Sequence, residues 1–129
     1  MNFSRPCGTH SFDAGDPALK RRAIIRLRSL LGGLEELTEN RIEVIHIVGG
    51  GCQSKMLNQF TADACERPVI AGPVEATAMG NLLVQVRASG ELGSLAEIRE
   101  VIGYSTQPVH YKPADVSAWR ATVQHLASL

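Results

Sequence analysis

The sequence predicts a single α/β domain, with a small sheet and flanking helices. Apolar residues at helical spacing alternate with two short β-branched runs, which is the pattern of an α/β fold. The 129 residues are an ordinary length for one domain, and 44% hydrophobic with 20% charged residues is typical of a folded globular protein. We expect residues 1–16 to be an irregular lead-in, because they contain Pro, Gly, Ser and Asp without periodicity, and residues 17–129 to form the domain.

The composition excludes several classes of function. Thirteen Lys and Arg balance thirteen Asp and Glu, so the net charge of zero argues against a nucleic-acid partner. No apolar run approaches the roughly 20 residues that a membrane-spanning helix needs. Three cysteines without a CxxC pair, and a start without a secretory signal, predict a cytoplasmic protein.

The first predicted helix runs from Pro17 to about Thr38. Asp16 is a suitable N-cap, and proline is favoured at the first helical position, where its missing N–H costs nothing. The helix carries apolar residues at helical spacing, namely Leu19, Ala23, Leu27, Leu30, Leu31, Leu34 and Leu37. The pair Gly32-Gly33 is its weakest point.

The next segment predicts a strand, a glycine turn and a helix. Residues 42–48 (IEVIHIV) are short and nearly all apolar, which indicates a strand buried on both faces. Three glycines, 49–51, end this strand. A helix over residues 53–65 follows, with Met56, Leu57, Phe60 and Ala64 on one face.

The remaining elements are one strand and three helices. We predict a strand over 68–71, a helix over 74–88 after Gly72-Pro73, and a last helix over 113–129. Between them, Ser94 and Glu97 form a capping-box pattern that opens a short helix, which should stop near Gly103. Two strands are few for an independent sheet.

The glycine turn is the strongest candidate for chemistry. Gly49, Gly50 and Gly51 let the backbone approach a ligand closely, and the following helix directs its unpaired N–H groups and positive dipole end towards a phosphate. The sequence matches neither GxGxxG nor GxxxxGK[ST]. Spacing alone therefore leaves a phosphate site and a ligand-free turn as equal alternatives.

For the other reactive or charged residues, a structural role is the favoured interpretation. Cys52 lies in the predicted first helical turn and is a candidate nucleophile, but a small residue packed under the turn is the favoured interpretation. We interpret Cys65 and His46 as core residues. Cys7 and His10 form a single pair with metal-compatible spacing, which is too weak to assign a metal. A basic run is interpreted as a solvated helix face: Lys20, Arg21, Arg22, Arg26 and Arg28.

Residues 45–85, IHIVGGGCQSKMLNQFTADACERPVIAGPVEATAMGNLLVQ, resemble the C-terminal lobe of the FGGY carbohydrate kinases. The resemblance starts near residue 34 and continues more loosely to residue 126. The combination of GGGCQ, LNQ, ADAC and AGPVEAT is most similar to the members that phosphorylate L-rhamnulose at its 1-hydroxyl. It implies part of an actin-like, ribonuclease-H-like ATPase lobe.

The resemblance also implies the ligand and the residues around it. The family transfers a phosphoryl group from ATP with Mg²⁺, so ATP or ADP is the expected ligand. Gly49, Gly50 and Gly51 would then lie nearest the nucleotide, with Gly50 first among them. Ser54 occupies a position where the family often has an asparagine that reaches the adenosine.

The resemblance does not extend to the catalytic part of the family. Its catalytic aspartate, sugar site and phosphate-binding loop have no counterpart here, so no catalytic residue is assigned and we expect a truncated chain that is inactive alone. The alternative is a non-catalytic module that binds a partner or forms a homo-oligomer, because so small a sheet would leave apolar surface exposed.

Overall fold

The computed structural model describes residues 16–127, and most elements in it follow from a local sequence signal. Its elements in chain order are α1 (Pro17–Thr38), β1 (Ile45–Ile47), a 3₁₀ turn (Gly50–Gln53), α2 (Lys55–Cys65), β2 (Val69–Ala71), α3 (Ala76–Ala88), α4 (Leu95–Ser105), β3 (Val109–Tyr111) and α5 (Val116–Ala127). The predicted α/β class, with a small sheet and flanking helices, is confirmed.

Helix α1 has the predicted bounds and the predicted N-cap. The Asp16 carboxylate accepts a hydrogen bond from the Ala18 backbone N–H at 3.0 Å, and Pro17 opens the helix. Its apolar residues do not all face the core, however. Ile24 is its one buried residue, whereas three leucines at helical spacing are half or more exposed: Leu30 (65%), Leu34 (50%) and Leu37 (84%).

The sheet has three strands in the order β1-β2-β3, with β1 parallel and β3 antiparallel to the central strand. Its register places three residues side by side in each row: Ile45–Val69–Tyr111, His46–Ile70–His110 and Ile47–Ala71–Val109. Each strand is only three residues long. The expected long strand over 42–48 is therefore reduced to three residues in its C-terminal half, and the third strand was not predicted.

Only one face of the sheet is covered. Val69 and Ala71 are buried, and α2 packs against β2. On the opposite face, His46 and His110 are exposed on either side of the partly buried Ile70. The prediction that the first strand is buried on both faces, with His46 in the core, was wrong, because no helix among residues 16–127 covers that row.

Helix α2 lies at the centre of the packing and contacts α1, β2 and α5. Ile24, Ala64 and Trp119 form one buried cluster, against which Leu57 and Phe60 also pack. The rings of Phe60 and Trp119 meet edge to face with centroids 5.3 Å apart. This arrangement is favourable for two aromatic quadrupoles and joins the last helix to α2.

Ion pairs at the C-terminal end of α2 complete the packing. The Glu66 carboxylate follows α2 and accepts two hydrogen bonds from the Arg120 guanidinium of α5, at 2.8 and 2.6 Å. This bidentate contact is the first cause that lowers the pKa of Glu66. Arg28 of α1 lies 3.5 Å from the same carboxylate. Glu66 therefore links three helices.

Helices α3 and α4 pack mainly against each other. The predicted capping box opens α4, since the Ser94 hydroxyl accepts from the Glu97 backbone N–H at 3.2 Å. The Glu97 carboxylate accepts in turn from the Gly93 backbone N–H at 2.7 Å, one residue earlier than expected. The helix continues past Gly103 to Ser105, because nothing at the exposed Gly103 forces it to end.

Candidate functional site

The glycine turn joins β1 to α2 by a short 3₁₀ segment. Gly49 precedes it with φ 75° and ψ −160°, a backbone conformation that is accessible essentially only to glycine. The Cys52 N–H donates to the Gly49 carbonyl at 3.2 Å, and the Ser54 N–H donates to the Gly51 carbonyl at 3.3 Å. In such a segment the first N–H groups, here those of Gly50 and Gly51, have no carbonyl partner within the turn.

The turn is open to its surroundings. Gly50 is exposed, and Gly49 and Gly51 are partly exposed. A Cβ atom added at Gly49 would have the Val74 carbonyl oxygen as its nearest neighbour at 3.9 Å, and one at Gly51 would have the Ile47 Cγ2 at 3.9 Å. Because Gly50 is exposed, a ligand can approach the backbone at this residue.

A cavity of about 440 Å³ opens next to the end of the turn, where Cys52, Gln53 and Lys55 line it, whereas none of the three glycines does. Residues 71–74, at and after the end of β2, also line it. The rest of the lining comes from residues that the sequence did not indicate: Thr106, Gln107, Val109 and Tyr111. The cavity thus lies at the carboxyl ends of β1 and β2, where α/β folds commonly place their ligands.

Lys55 supplies a positive charge at the cavity. It is the first residue of α2, it is exposed, and it lines the wall next to the turn. The N-terminal end of α2 carries the positive end of the helix dipole. The charge of Lys55 and the helix dipole both favour an anion on this side of the cavity. Lys55 was not predicted from the sequence, and the signal that could have found it is a lysine four residues after the last glycine of the turn.

The residues proposed around the turn occupy different environments. Ser54 is buried, and its hydroxyl accepts from the Leu57 backbone N–H at 3.2 Å as the N-cap of α2. Cys52 is half-buried and lines the cavity. It lies in the 3₁₀ turn and not in the first turn of the helix, because α2 begins at Lys55, two residues later than expected.

Asn58 of α2 lies directly behind the turn. Its side chain is fully buried, and its Nδ2 donates to the Cys52 carbonyl at 2.8 Å. Its Oδ1 has no hydrogen-bond partner among residues 16–127. A buried acceptor without a partner costs about 1–3 kcal/mol, while the bond made by Nδ2 contributes roughly 0.5–1.5 kcal/mol, so Asn58 brings little or no net stability.

Cys65 is a buried core residue, as predicted from its place on the apolar face of α2. Desolvation raises the pKa of its thiol to about 11. The cavity beside it, about 280 Å³ between α1 and α2, is lined by charges of both signs: Arg28, Glu35, Glu66 and Arg67. These charges are paired with one another, so the cavity presents no free charge to a ligand.

The described part of the chain contains neither a group of metal-binding side chains nor a membrane-spanning helix. Among residues 16–127, no three His, Cys, Asp or Glu side chains are grouped so that they could bind a metal ion. None of the helices in the same range is both long and apolar enough to cross a membrane. Cys7 and His10, the pair considered from the sequence, lie outside the described residues.

Comparison with known proteins bears directly on the glycine turn. Residues 23–89 match the C-terminal domain of the FGGY family of carbohydrate kinases. Rhamnulokinase of Bacteroides thetaiotaomicron is 43% identical over 101 residues, covering 78% of this chain and 21% of that protein. The rhamnulokinase of Bacillus subtilis is 44% identical over 90 residues, covering 70% of this chain and 18% of the relative.

A third relative extends the same relationship. Rhamnulokinase of Halalkalibacterium halodurans is 40% identical over 87 residues, covering 67% of this chain and 19% of that protein. The chain therefore spans about a fifth of the length of the curated relatives it matches. The family match covers just over half of the chain and includes the glycine turn. This protein belongs to the FGGY family of carbohydrate kinases, by its similarity to the C-terminal domain of that family.

Proposed function

We propose that this chain forms the nucleotide-binding part of a carbohydrate kinase, and that ATP or ADP occupies the cavity beside the Gly49–Gly51 turn. The observation that carries the proposal is the open cavity of about 440 Å³ at the carboxyl ends of β1 and β2. Lys55 lines this cavity, and the backbone N–H groups of Gly50 and Gly51, which are not part of its lining, are the further donors that we propose for an anionic group. Ser54 supports the turn as the N-cap of α2 and is not needed as a ligand contact.

The sugar substrate that we propose is L-rhamnulose, phosphorylated at its 1-hydroxyl. Support comes from the three relatives, each of which is a rhamnulokinase. A cytoplasmic location belongs to the same proposal, since the cysteine usage fits a reducing compartment.

We further propose that the chain alone does not transfer a phosphoryl group. Phosphoryl transfer needs a base or an aspartate that orients the hydroxyl, a metal ion and several phosphate contacts. The walls of the cavity provide Lys55 but no carboxylate. Because residues 16–127 hold no set of metal ligands, any Mg²⁺ would enter with the nucleotide, and no step is assigned to it.

Nucleotide binding is tested by titrating the purified chain with a fluorescent ADP analogue, and by displacement with ATP. We expect weak binding that is lost in Gly50→Val, because the added side chain would stand over the exposed turn. Gly33→Val is the matched control, since a Cβ at Gly33 in α1 meets no atom within 4 Å. Equal affinity in both variants would show that the turn is not the site.

Catalysis is tested separately by incubating the chain with ATP, Mg²⁺ and L-rhamnulose, beside an intact rhamnulokinase. We expect no sugar phosphate from this chain alone. Turnover comparable to that of the intact enzyme would overturn the proposed inactivity.

The open apolar surfaces favour a second candidate function, assembly with another chain. The row His46–Ile70–His110 lacks a covering helix among residues 16–127, and Leu30, Leu34 and Leu37 form an exposed apolar stripe on α1. Size-exclusion chromatography with light scattering tests this candidate. A monomer at high concentration would argue against self-assembly, and a dimer that Leu34→Glu dissociates would place the interface on α1.

A further inference from the structure

We infer that Asn58 is a positioning residue, which holds the glycine turn from behind in the shape that accepts the nucleotide. The inference rests on the proposed nucleotide site and adds a residue that does not itself line the cavity. Its basis is the hydrogen bond from the buried Asn58 Nδ2 to the Cys52 carbonyl.

That hydrogen bond is the first of three in a chain. The chain runs from α2 through the glycine turn to the connection after β2. Asn58 donates to the Cys52 carbonyl at 2.8 Å, and the Cys52 N–H donates to the Gly49 carbonyl at 3.2 Å. The Gly49 N–H then donates to the Pro73 carbonyl at 3.0 Å. The turn is thus held on one side by a side chain of α2 and on the other by backbone.

A glycine turn needs such restraint more than other segments do. Three consecutive glycines have wide conformational freedom, and fixing them costs more entropy than fixing other residues. The exposed Gly50 has no side chain through which the fold could hold it in place. The bond to Cys52, two residues later, restricts the turn while leaving its outer surface open for a ligand.

The unpartnered Oδ1 indicates that Asn58 does not serve core stability. A side chain that only filled the space between α2 and the turn would be better apolar, because Oδ1 is buried without a donor. Thr61, one turn further along α2, shows the contrast: its buried hydroxyl donates to the Leu57 carbonyl of its own helix at 2.7 Å. Thr61 has no bond to the turn.

The experiment compares Asn58→Leu with Thr61→Val in the full chain. Both variants replace a buried polar group of α2 by an apolar one of similar size, but only the first removes a bond to the turn. Three quantities are measured: the thermal midpoint, amide hydrogen exchange over residues 49–54 and 59–65, and the dissociation constant for the fluorescent ADP analogue.

For Asn58→Leu we expect an unchanged or higher thermal midpoint, faster exchange over 49–54 alone, and weaker ADP binding. One ordinary hydrogen bond corresponds to roughly a fivefold change in the exchange rate and in the dissociation constant. Thr61→Val should leave exchange over 49–54 and the dissociation constant as they are in the unmutated chain.

Several results would overturn the inference. Unchanged exchange over 49–54 in Asn58→Leu would show that Asn58 does not hold the turn. Faster exchange with unchanged ADP affinity would show that holding the turn does not matter for the ligand. If the unmutated chain binds no ADP, the proposed function fails and a role of Asn58 in nucleotide binding fails with it, while the exchange rates still decide whether Asn58 holds the turn.

Discussion

The backbone N–H of Gly49 donates to the carbonyl oxygen of Pro73 at 3.0 Å, and this joins the glycine turn to the connection that leaves β2. A second bond runs the other way, from the Gly72 N–H to the carbonyl of Ile47, the last residue of β1, at 2.8 Å. The ends of β1 and β2 therefore hold each other by backbone alone. The conformation of Gly49 decides whether the first of these bonds can form.

We predict that Gly49→Ala destabilises the protein and that Gly51→Ala does not. Gly49 has φ 75° and ψ −160°, so a Cβ there costs about 1–3 kcal/mol in strain, although no atom blocks it. Gly51 does not have a positive φ, and an added Cβ would make an ordinary contact with Ile47. Urea unfolding, followed by circular dichroism, measures the free energy of unfolding of both variants. Equal losses in the two variants would contradict the strain argument.

Trp119→Ala should lower the free energy of unfolding by about 3–5 kcal/mol, a large part of the 5–15 kcal/mol typical of a domain. Trp119 is buried against Ile24 and Ala64 and meets Phe60 edge to face. Trp119→Phe keeps an aromatic ring, so its free energy of unfolding should fall by less. Tyr104, which is 85% exposed, is the control: Tyr104→Ala should stay within about 0.5 kcal/mol. A small loss in Trp119→Ala would show that α5 adds little to the core.

We expect Glu66 to stabilise the fold near neutral pH and to lose this effect in acid. Hydrogen bonding to Arg120 is the first cause that lowers the pKa of Glu66, so the unfolded chain takes up the proton more readily than the folded one. The stabilisation is complete above the ordinary glutamate pKa of roughly 4.3 and disappears as the pH falls through the lower folded value.

The measurement is the urea midpoint of the unmutated chain and of Glu66→Gln between about pH 7 and pH 3. The difference between the two proteins should shrink as the pH falls. Glu35, whose pKa is also lowered, first by the Ile42 backbone N–H, is present in both and cancels in the comparison. A difference that stays constant with pH would contradict the role of the Arg120 contact.

Iodoacetamide at neutral pH should modify Cys52 and spare Cys65 in the folded protein. Cys52 is partly exposed at the cavity, whereas Cys65 is buried and its pKa is raised to about 11, so almost no thiolate is present. Lys55 lies between them, and trypsin therefore places the two cysteines in different peptides for mass spectrometry. In urea both should react at similar rates; rapid labelling of Cys65 without urea would contradict its burial.

The elements with local signals were predictable from sequence. Asp16 and Pro17 start α1, and Ser94 and Glu97 start α4, because caps depend on residues within one helical turn. The signals for burial were less reliable. Leu34 fits the apolar period of α1 but is half exposed. Periodicity identifies the apolar face of a helix, but it does not show whether another element of the fold covers that face.

Strand β3 and half of the candidate site could not be predicted in the same way. Val109, His110 and Tyr111 are too few to show alternation, and they follow Pro108. The glycine turn was predicted from its own residues, but Thr106 and Gln107 reach the cavity from about fifty positions away, through tertiary structure alone. Asn58 belongs to the LNQ segment that carried the resemblance, but nothing in that segment predicted that its side chain is buried, because a polar residue on a helix normally faces solvent.

The loose attachment of the α3–α4 pair has a consequence for the cavity. The two helices pack mainly on each other, and their buried residues Leu83 and Ile98 lie outside the cluster around Trp119. Such a pair can unfold locally at a lower free energy than the rest of the molecule. Thr106 and Gln107 directly follow α4, whereas the glycine turn is held by α2. Local unfolding of α4 would therefore displace Thr106 and Gln107, whereas Val109 and Tyr111, which also line the cavity, are held in β3 by pairing with β2, so only part of the cavity lining would change.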